Sequence, residues 1–255
     1  MFENIYNHLI YSNFFYNFYY FVNSPFKFFK NKRFFKKQNI IAKNIRDYGF
    51  YKIENLDLKS LEEIKTKIFE KYKNKKVINP KKKYLTQNKI DDEDTILILN
   101  NFSKKNNFFE ISKEYLGFKS IKTKYFFMTS KFNNENNSKL EGSQLFHTDG
   151  LTIKQIKIFI NLNEISIDTG ATEIVDKKNS KNIFKYSKKH KIISNKTEKI
   201  EEIFFNRNFS NYKIHSFDGP FGTTNIFDSS NCYHRGGIMK YGERIVLMIQ
   251  MIPDL

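Results

Sequence analysis

The sequence predicts a mainly β fold with flanking helices, and three observations carry that reading. Ile153–Leu162 has the pattern of a strand with Ile156, Ile158, Ile160 and Leu162 on one side. In Arg244–Gln250, Val246, Met248 and Gln250 share the face of Arg244, while Ile245, Leu247 and Ile249 occupy the other, so both faces are apolar. A strand buried on both faces belongs to a wall whose back is covered by helices. The third observation is that helical patterns precede these strands, so N-terminal helices are the cover. The chain is 255 residues long, enough for one domain with a sizeable core. No repeat or linker divides it.

In chain order, residues 1–37 form an aromatic and basic segment. Phe2, Ile5, Tyr6, Leu9 and Ile10 have helical spacing, the aromatic run Phe14–Val22 follows, Ser24-Pro25 breaks the pattern, and Lys27–Lys37 is a basic-aromatic tail. It has no basic leader or small-residue cleavage site, so it is no signal peptide. Asn interrupts it too often for a bilayer span. Two roles stay open: a cover packed on the outside of the barrel, or a segment lying on an anionic membrane surface.

Residues 38–255 read as a single domain. Ile40–Tyr48 is a helix stopped by Gly49, and Phe50–Ile53 a strand. Asp57 or Ser60 caps the next helix, Ser60 with Glu63 fitting a capping box, and Leu61, Ile64, Ile68 and Tyr72 form its apolar stripe. Pro80 and Lys81–Lys83 make a solvated loop. Thr95–Leu99 is a short apolar run, Phe102–Leu116 a helix ended by Gly117, Ile121–Thr129 a strand, and Asn133–Ser138 a polar loop. Beyond Leu162, Asp168-Thr169-Gly170 is a turn and Thr172–Val175 a strand. Lys177–Ile214 is a long polar insertion, suited to a lid or a substrate-selecting element. Gly222–Phe227 returns to strand, and Gly236-Gly237 with Tyr241-Gly242 permits a tight reversal before Arg244.

The formal net charge of +17 suggests an anionic partner, yet Lys is spread over most segments and forms no single stripe. Lys, Asn, Ile, Phe and Tyr are inflated together, a compositional drift that argues against a nucleic-acid interface. Cys232 is the only cysteine, so there is no intrachain disulfide and a reducing cytoplasm is expected.

The chemistry converges on Gln144–Gly150, read Q-L-F-H-T-D-G. On an extended segment His147 and Asp149 point to the same face. By itself the His-x-Asp pair is a weak signal. The distal candidate is His234 in C-Y-H-R-G-G, and Arg244 follows it by ten residues. Two His and one carboxylate are the donor set of non-haem Fe(II) oxygenases, with the remaining positions open. Arginine is rare here, only five residues, and two of them, Arg235 and Arg244, follow the distal His. Only guanidinium offers paired parallel donors to a carboxylate. Strand parity puts Cys232 on the side of His234, and Tyr233 and Arg235 on the other, so Arg235 reads as a cover ion pair. His190 and His215 read as solvated or structural.

The segments F-H-T-D-G at 146–150, I-K-I-F-I-N-L at 156–162, D-T-G at 168–170, C-Y-H-R-G-G at 232–237 and R-I-V-L-M-I-Q at 244–250 together resemble the phytanoyl-CoA dioxygenase (PhyH)-like Fe(II)/2-oxoglutarate-dependent oxygenases. R-D-Y-G-F-Y-K-I at 46–53 is a looser match. Where many relatives carry Pro-Gly-Ser-His, this chain has Asp176-Lys177-Lys178-Asn179-Ser180, so substrate contacts do not carry over there. The resemblance implies a double-stranded β-helix, a cupin-like jelly-roll barrel covered by N-terminal helices. It implies His147, Asp149 and His234 as iron ligands and Arg244 as the partner of the far carboxylate of 2-oxoglutarate. The cofactors implied are Fe(II), 2-oxoglutarate as co-substrate and O2, with ascorbate as a supporting reductant. The activity implied is hydroxylation of a small organic substrate, an anionic compound or a CoA thioester being the type suggested. Asp149 leaves no halide position, which argues against halogenation. Two alternatives stand beside this: a cupin-like metal enzyme that does not use 2-oxoglutarate, and a basic membrane- or anion-binding module with a vestigial metal site.

Overall fold

A computed structural model describes residues 13–32, 39–54, 56–73, 85–132, 140–152, 154–195 and 198–254. The expectations for Phe2–Ile10, for the tail beyond Lys32, for Pro80–Lys83 and for Asn133–Ser138 lie outside the described residues. Two helices open the structure, α1 (Asn13–Asn23) and α2 (Pro25–Asn31). Pro25 stands at the first helical position, where a missing N–H costs nothing. Helix α3 (Ile40–Tyr48) begins at Asn39, whose side chain accepts from Ile41 N and Ala42 N, and ends on Gly49 at φ 95°. Strand β1 is Phe50–Ile53, and α4 (Leu58–Tyr72) is capped by Asp57, which accepts from Ser60 N. Leu61, Ile64, Ile68 and Tyr72 are its buried residues, the stripe read from the sequence.

Strand β2 (Leu85–Lys89) had no sequence signal, since L-T-Q-N-K is largely polar. The expected helix over Phe102–Leu116 is instead two, α5 (Glu93–Lys105) and α6 (Phe108–Leu116). Asn107 at φ 59° breaks them apart, a left-handed conformation that Asn tolerates better than most residues. The Thr95–Leu99 run belongs to α5, whose cap Asp92 accepts from Thr95 N. Strand β3 (Ile121–Lys131) is followed by β4 (Ile156–Asn161) and β5 (Glu173–Val175). The span read as a polar insertion folds mostly into α7 (Lys177–Lys189), α8 (Glu202–Phe209) and the start of β6 (Ile214–Ser216). The chain closes with β7 (Thr224–Asp228), β8 (His234–Arg235) and β9 (Glu243–Pro253).

The strands form an antiparallel sheet ordered β1-β7-β4-β9-β3-β2 and a smaller one ordered β6-β5-β8. A bridge from His147 to His234 adds one more segment to the free side of β8. The two sheets enclose Phe159, Ile174, Phe217, Phe227, Val246 and Met248. This is a double-stranded β-helix. On the back of the large sheet, Ile156, Ile158, Ile160, Ile245, Leu247 and Ile249 meet the N-terminal helices in the largest core cluster. β9 is therefore buried on both faces, as its sequence required. A third cluster, including Phe146, Ile183, Phe184, Phe205, Phe209 and Tyr233, fills the space between the small sheet and α7–α8. Burial of those rings explains why a span with so many lysines folds: Ile183, Phe184, Phe205 and Phe209 turn to one side, while Tyr186, Ile192 and Ile203 stay exposed.

Gly49 does two jobs. Its positive φ ends α3, and a Cβ there would lie 2.1 Å from Cys232 Sγ. We expect Gly49→Ala to cost about 2 kcal/mol or more, lowering the melting temperature by roughly 4–8 °C. An unchanged melting curve would show that α3 can end elsewhere.

Candidate metal centre

His147 and His234 face each other across the small sheet. They exchange both backbone hydrogen bonds, His147 N to His234 O at 3.1 Å and His234 N to His147 O at 2.9 Å. This narrow pairing sets the ring centroids 4.6 Å apart. His147 lies just after a single 3-10 turn, Gly142–Gln144, in extended backbone held by isolated bridges rather than in a regular strand. Asp149 follows two residues later and is anchored by its N–H to Ser229 O at 2.8 Å. One ligand atom from each of His147, Asp149 and His234 lies within 4.8 Å of the others.

The ring orientations are fixed from behind. His147 Nδ1 is 2.8 Å from Leu145 O, and His234 Nδ1 is 3.0 Å from Cys232 O. A carbonyl only accepts, so each Nδ1 carries the proton and each Nε2 presents its lone pair. That tautomer is the one a metal needs. Burial, and for His234 also the neighbouring His147, keeps both rings neutral: the pKa of His147 is lowered and that of His234 falls to about 3. Burial acting alone would raise Asp149. Lys157 and the two imidazoles outweigh it and hold the carboxyl well below its usual range. Neutral imidazoles beside an ionised carboxylate form a donor set ready for a divalent cation without proton release.

Asp149 Oδ2 tests whether a cation fits. It is buried, and no neutral donor reaches it. Lys157 Nζ lies 2.7 Å away as an ion pair, and His234 Nε2 lies at 3.7 Å. A buried carboxylate oxygen that meets one ammonium and faces two imidazole lone pairs is an arrangement a metal ion would complete.

Lys157 was missed in the sequence reading. The signal was present: with Ile156, Ile158 and Ile160 on one face of β4, Lys157 and Phe159 must share the other. Both line the cavity, along with Gln87, Ser143, Thr172, Met248 and Gln250. Its volume is about 150 Å³. With a dication bound, the ammonium of Lys157 repels it across a few ångströms. We expect Lys157→Met to tighten Mn(II) or Fe(II) binding by roughly tenfold, measured by anaerobic titration, since about 1.4 kcal/mol is tenfold and a near, part-screened charge supplies that much. Weaker binding would mean that Lys157 is needed to hold Asp149 in place.

Arg244 enters the same cavity from β9, at the register position of Ser130. Its Nη1 donates to Gly170 O at 2.9 Å and Thr172 Oγ1 at 3.0 Å, which fixes the guanidinium plane. Arg235 also touches the cavity, but its nitrogens pair with Glu173 and Glu202 and its guanidinium lies 4.6 Å over the Phe146 ring. Glu202 is on α8, so this ion pair ties the helical insertion to the small sheet beside the centre. Cys232 sits in the core between the sheets and Tyr233 in the outer cluster, the parity expected of that strand. The other described histidines are elsewhere: His190 packs 4.2 Å from the Tyr186 ring, and His215 4.7 Å from Phe50. In the D-K-K-N-S segment, Asp176 caps α7, and Ser180 Oγ donates to Val175 O and accepts from Tyr233 N.

No protein family and no curated protein matches the chain by sequence. Solved structures do match by fold. The epimerase SnoN, in complex with Fe3+, α-ketoglutarate and nogalamycin RO, aligns with TM-score 0.57 at 10% identity, over 83% of this chain and 82% of its own. EvdO2 from Micromonospora carbonacea var. aurantiaca, complexed with 2-oxoglutarate, aligns with TM-score 0.54 at 9% identity, over 88% and 94%. AtDAO1, a dioxygenase for auxin oxidation from Arabidopsis thaliana in a 2-oxoglutarate complex, gives 0.53 at 15% identity, over 84% and 87%.

Proposed function

We propose that this protein is an Fe(II)- and 2-oxoglutarate-dependent dioxygenase that hydroxylates a small organic substrate. The observation that carries the reading is the meeting of His147, Asp149 and His234 within 4.8 Å, with Arg244 in the same cavity. His147, Asp149 and His234 would hold the iron through two Nε2 atoms and a carboxylate oxygen, a donor set that leaves positions open on one side. Bound iron with 2-oxoglutarate supplies O2 activation coupled to decarboxylation of the co-substrate to succinate and CO2, with one oxygen atom going to the substrate.

The remaining work falls to the chain. Arg244, braced by Gly170 and Thr172, offers a fork to the far carboxylate of 2-oxoglutarate and so sets its orientation. Phe159 and Met248 keep one side of the cavity apolar, which limits water around the reacting groups. The fold shared with proteins solved with iron or 2-oxoglutarate supports this reading, and the motif resemblance supports a place in the PhyH-like group. A cavity of about 150 Å³ suits a co-substrate and the reacting end of a substrate. A CoA thioester fits this reading only with its carrier portion outside. The single, buried Cys232 agrees with a reducing, cytoplasmic setting.

The test is an anaerobic titration of Fe(II)-loaded protein with 2-oxoglutarate, followed by a metabolite screen in air with ascorbate that reads succinate release. Saturable 2-oxoglutarate binding and substrate-stimulated succinate are expected. Metal binding without 2-oxoglutarate binding would favour a cupin-like metal enzyme of another kind.

A further inference from the structure

Helices α1 and α2 have two unlike faces. On the inner one, Tyr16 donates its hydroxyl to Leu116 O at 2.8 Å, and Tyr16, Tyr20 and Phe28 set their rings edge-on to buried Phe118. Lys32 turns inward too, donating to Asn17 Oδ1 and lying over Phe28 and Phe118. The outer face is apolar. Phe18, Phe21 and Val22 recur at helical spacing on α1, and Phe26 and Phe29 do so on α2, joined to the first stripe by a Phe21–Phe29 ring contact at 5.5 Å. Phe26 is 91% exposed and Phe29 69%. Lys27 and Lys30 stand exposed beside them.

A soluble surface does not keep a contiguous aromatic stripe of this kind without a use for it. Along the sequence the charge is one-sided, while in space one acidic residue, Asp254, adjoins the end of α2, its carbonyl accepting from Asn31 Nδ2, and Arg46 pairs with Glu114. From Asn4 to Arg46 there are eight Lys or Arg and no Asp or Glu. Aromatic rings rimmed by lysines, on short helices already fixed by their inner face, match the interfacial zone of a bilayer: rings at the acyl boundary, ammonium groups at anionic headgroups. No helix among the described residues is long and apolar enough to cross a membrane, so the contact would be peripheral.

We propose that the outer face of α1 and α2 docks the protein on an anionic lipid surface, with Phe26 and Phe29 inserted and Lys27 and Lys30 on the headgroups. The proposal is independent of the metal centre.

The test is flotation of the full chain with vesicles of phosphatidylcholine, alone or with about 30% phosphatidylserine, at low and high salt. The comparison variants are Phe26→Ser/Phe29→Ser and Lys27→Glu/Lys30→Glu. Both pairs are solvent-facing, so melting temperature should be unchanged and can be checked. The expected result is salt-sensitive binding to anionic vesicles only, weakened at least about tenfold by either pair. Absence of binding to anionic vesicles at low salt would overturn the proposal. So would full binding by the Phe pair variant, which would reduce the effect to bulk charge attraction. Concentration-dependent dimerisation abolished by the Phe pair variant, without vesicle binding, would give the face to a second copy and overturn it equally.

Discussion

His234→Ala and His147→Ala should each lower metal affinity at least a hundredfold. Loss of an outer partner of a metal ligand costs about ten- to a hundredfold, and loss of the ligand itself must exceed that. The structure adds a reason for His234 in particular: it is the buried member, locked by Cys232 O behind it, and the backbone pairing with His147 keeps the two lone pairs converging. Asp149→Ala has a second penalty. It leaves Lys157, 2.7 Å from the lost carboxylate, as a poorly compensated cation facing the metal position. Asp149→Gly opens room for water or an anion to take the vacated place, so it should bind metal better than Asp149→Ala. Anaerobic metal titration with elemental analysis reads all four variants without relying on turnover. Full metal retention by the His234 variant would remove His234 from the ligand set.

How much of this was legible beforehand depends on where the information lies. Local signals were read correctly: the helix Ile40–Tyr48 ended by Gly49, the stripe Leu61, Ile64, Ile68 and Tyr72, and the two-faced strand β9 with its alternate residues in two different cores. His147, Asp149 and His234 do come together, but spacing alone was a weak signal for them; the motif resemblance is what named the three as a set. What escaped depended on tertiary partners. β2 is polar by sequence and exists because it pairs with β3, from Leu85 opposite Ser130 to Lys89 opposite Phe126. The helix break at Asn107 is a single left-handed residue inside an otherwise helical pattern. In residues 177–214 the lysines hid the sparse inward set Ile183, Phe184, Phe205 and Phe209, whose burial requires the small sheet and Phe146 opposite. Lys157 escaped because a lysine opposite a row of isoleucines has the pattern of a solvent-facing residue, whereas here that face of β4 lines the cavity beside Asp149.

Arg244→Ala should raise the apparent 2-oxoglutarate constant by roughly ten- to a thousandfold while leaving metal binding little changed, because a charge-assisted fork from a buried guanidinium is worth a few kcal/mol and about 1.4 kcal/mol is tenfold. The Nη1 bonds to Gly170 O and Thr172 Oγ1 bear on the interpretation. Truncation also strands those acceptors, so some loss of stability is expected, and the co-substrate defect must persist at a temperature where the variant is fully folded. Arg244→Lys should restore only part of the affinity, since an ammonium cannot hold both the Gly170–Thr172 edge and a carboxylate in one plane. Arg235→Ala is the control. Its guanidinium is committed to Glu173 and Glu202 and stacked on Phe146. Removing it leaves two part-buried carboxylates together, a cost of about 2 kcal/mol after allowance for solvent, expressed as a lower melting temperature. If Arg235→Ala gave the 2-oxoglutarate defect and Arg244→Ala did not, the co-substrate would lie against the small sheet, and the cavity would have to be read from the opposite wall.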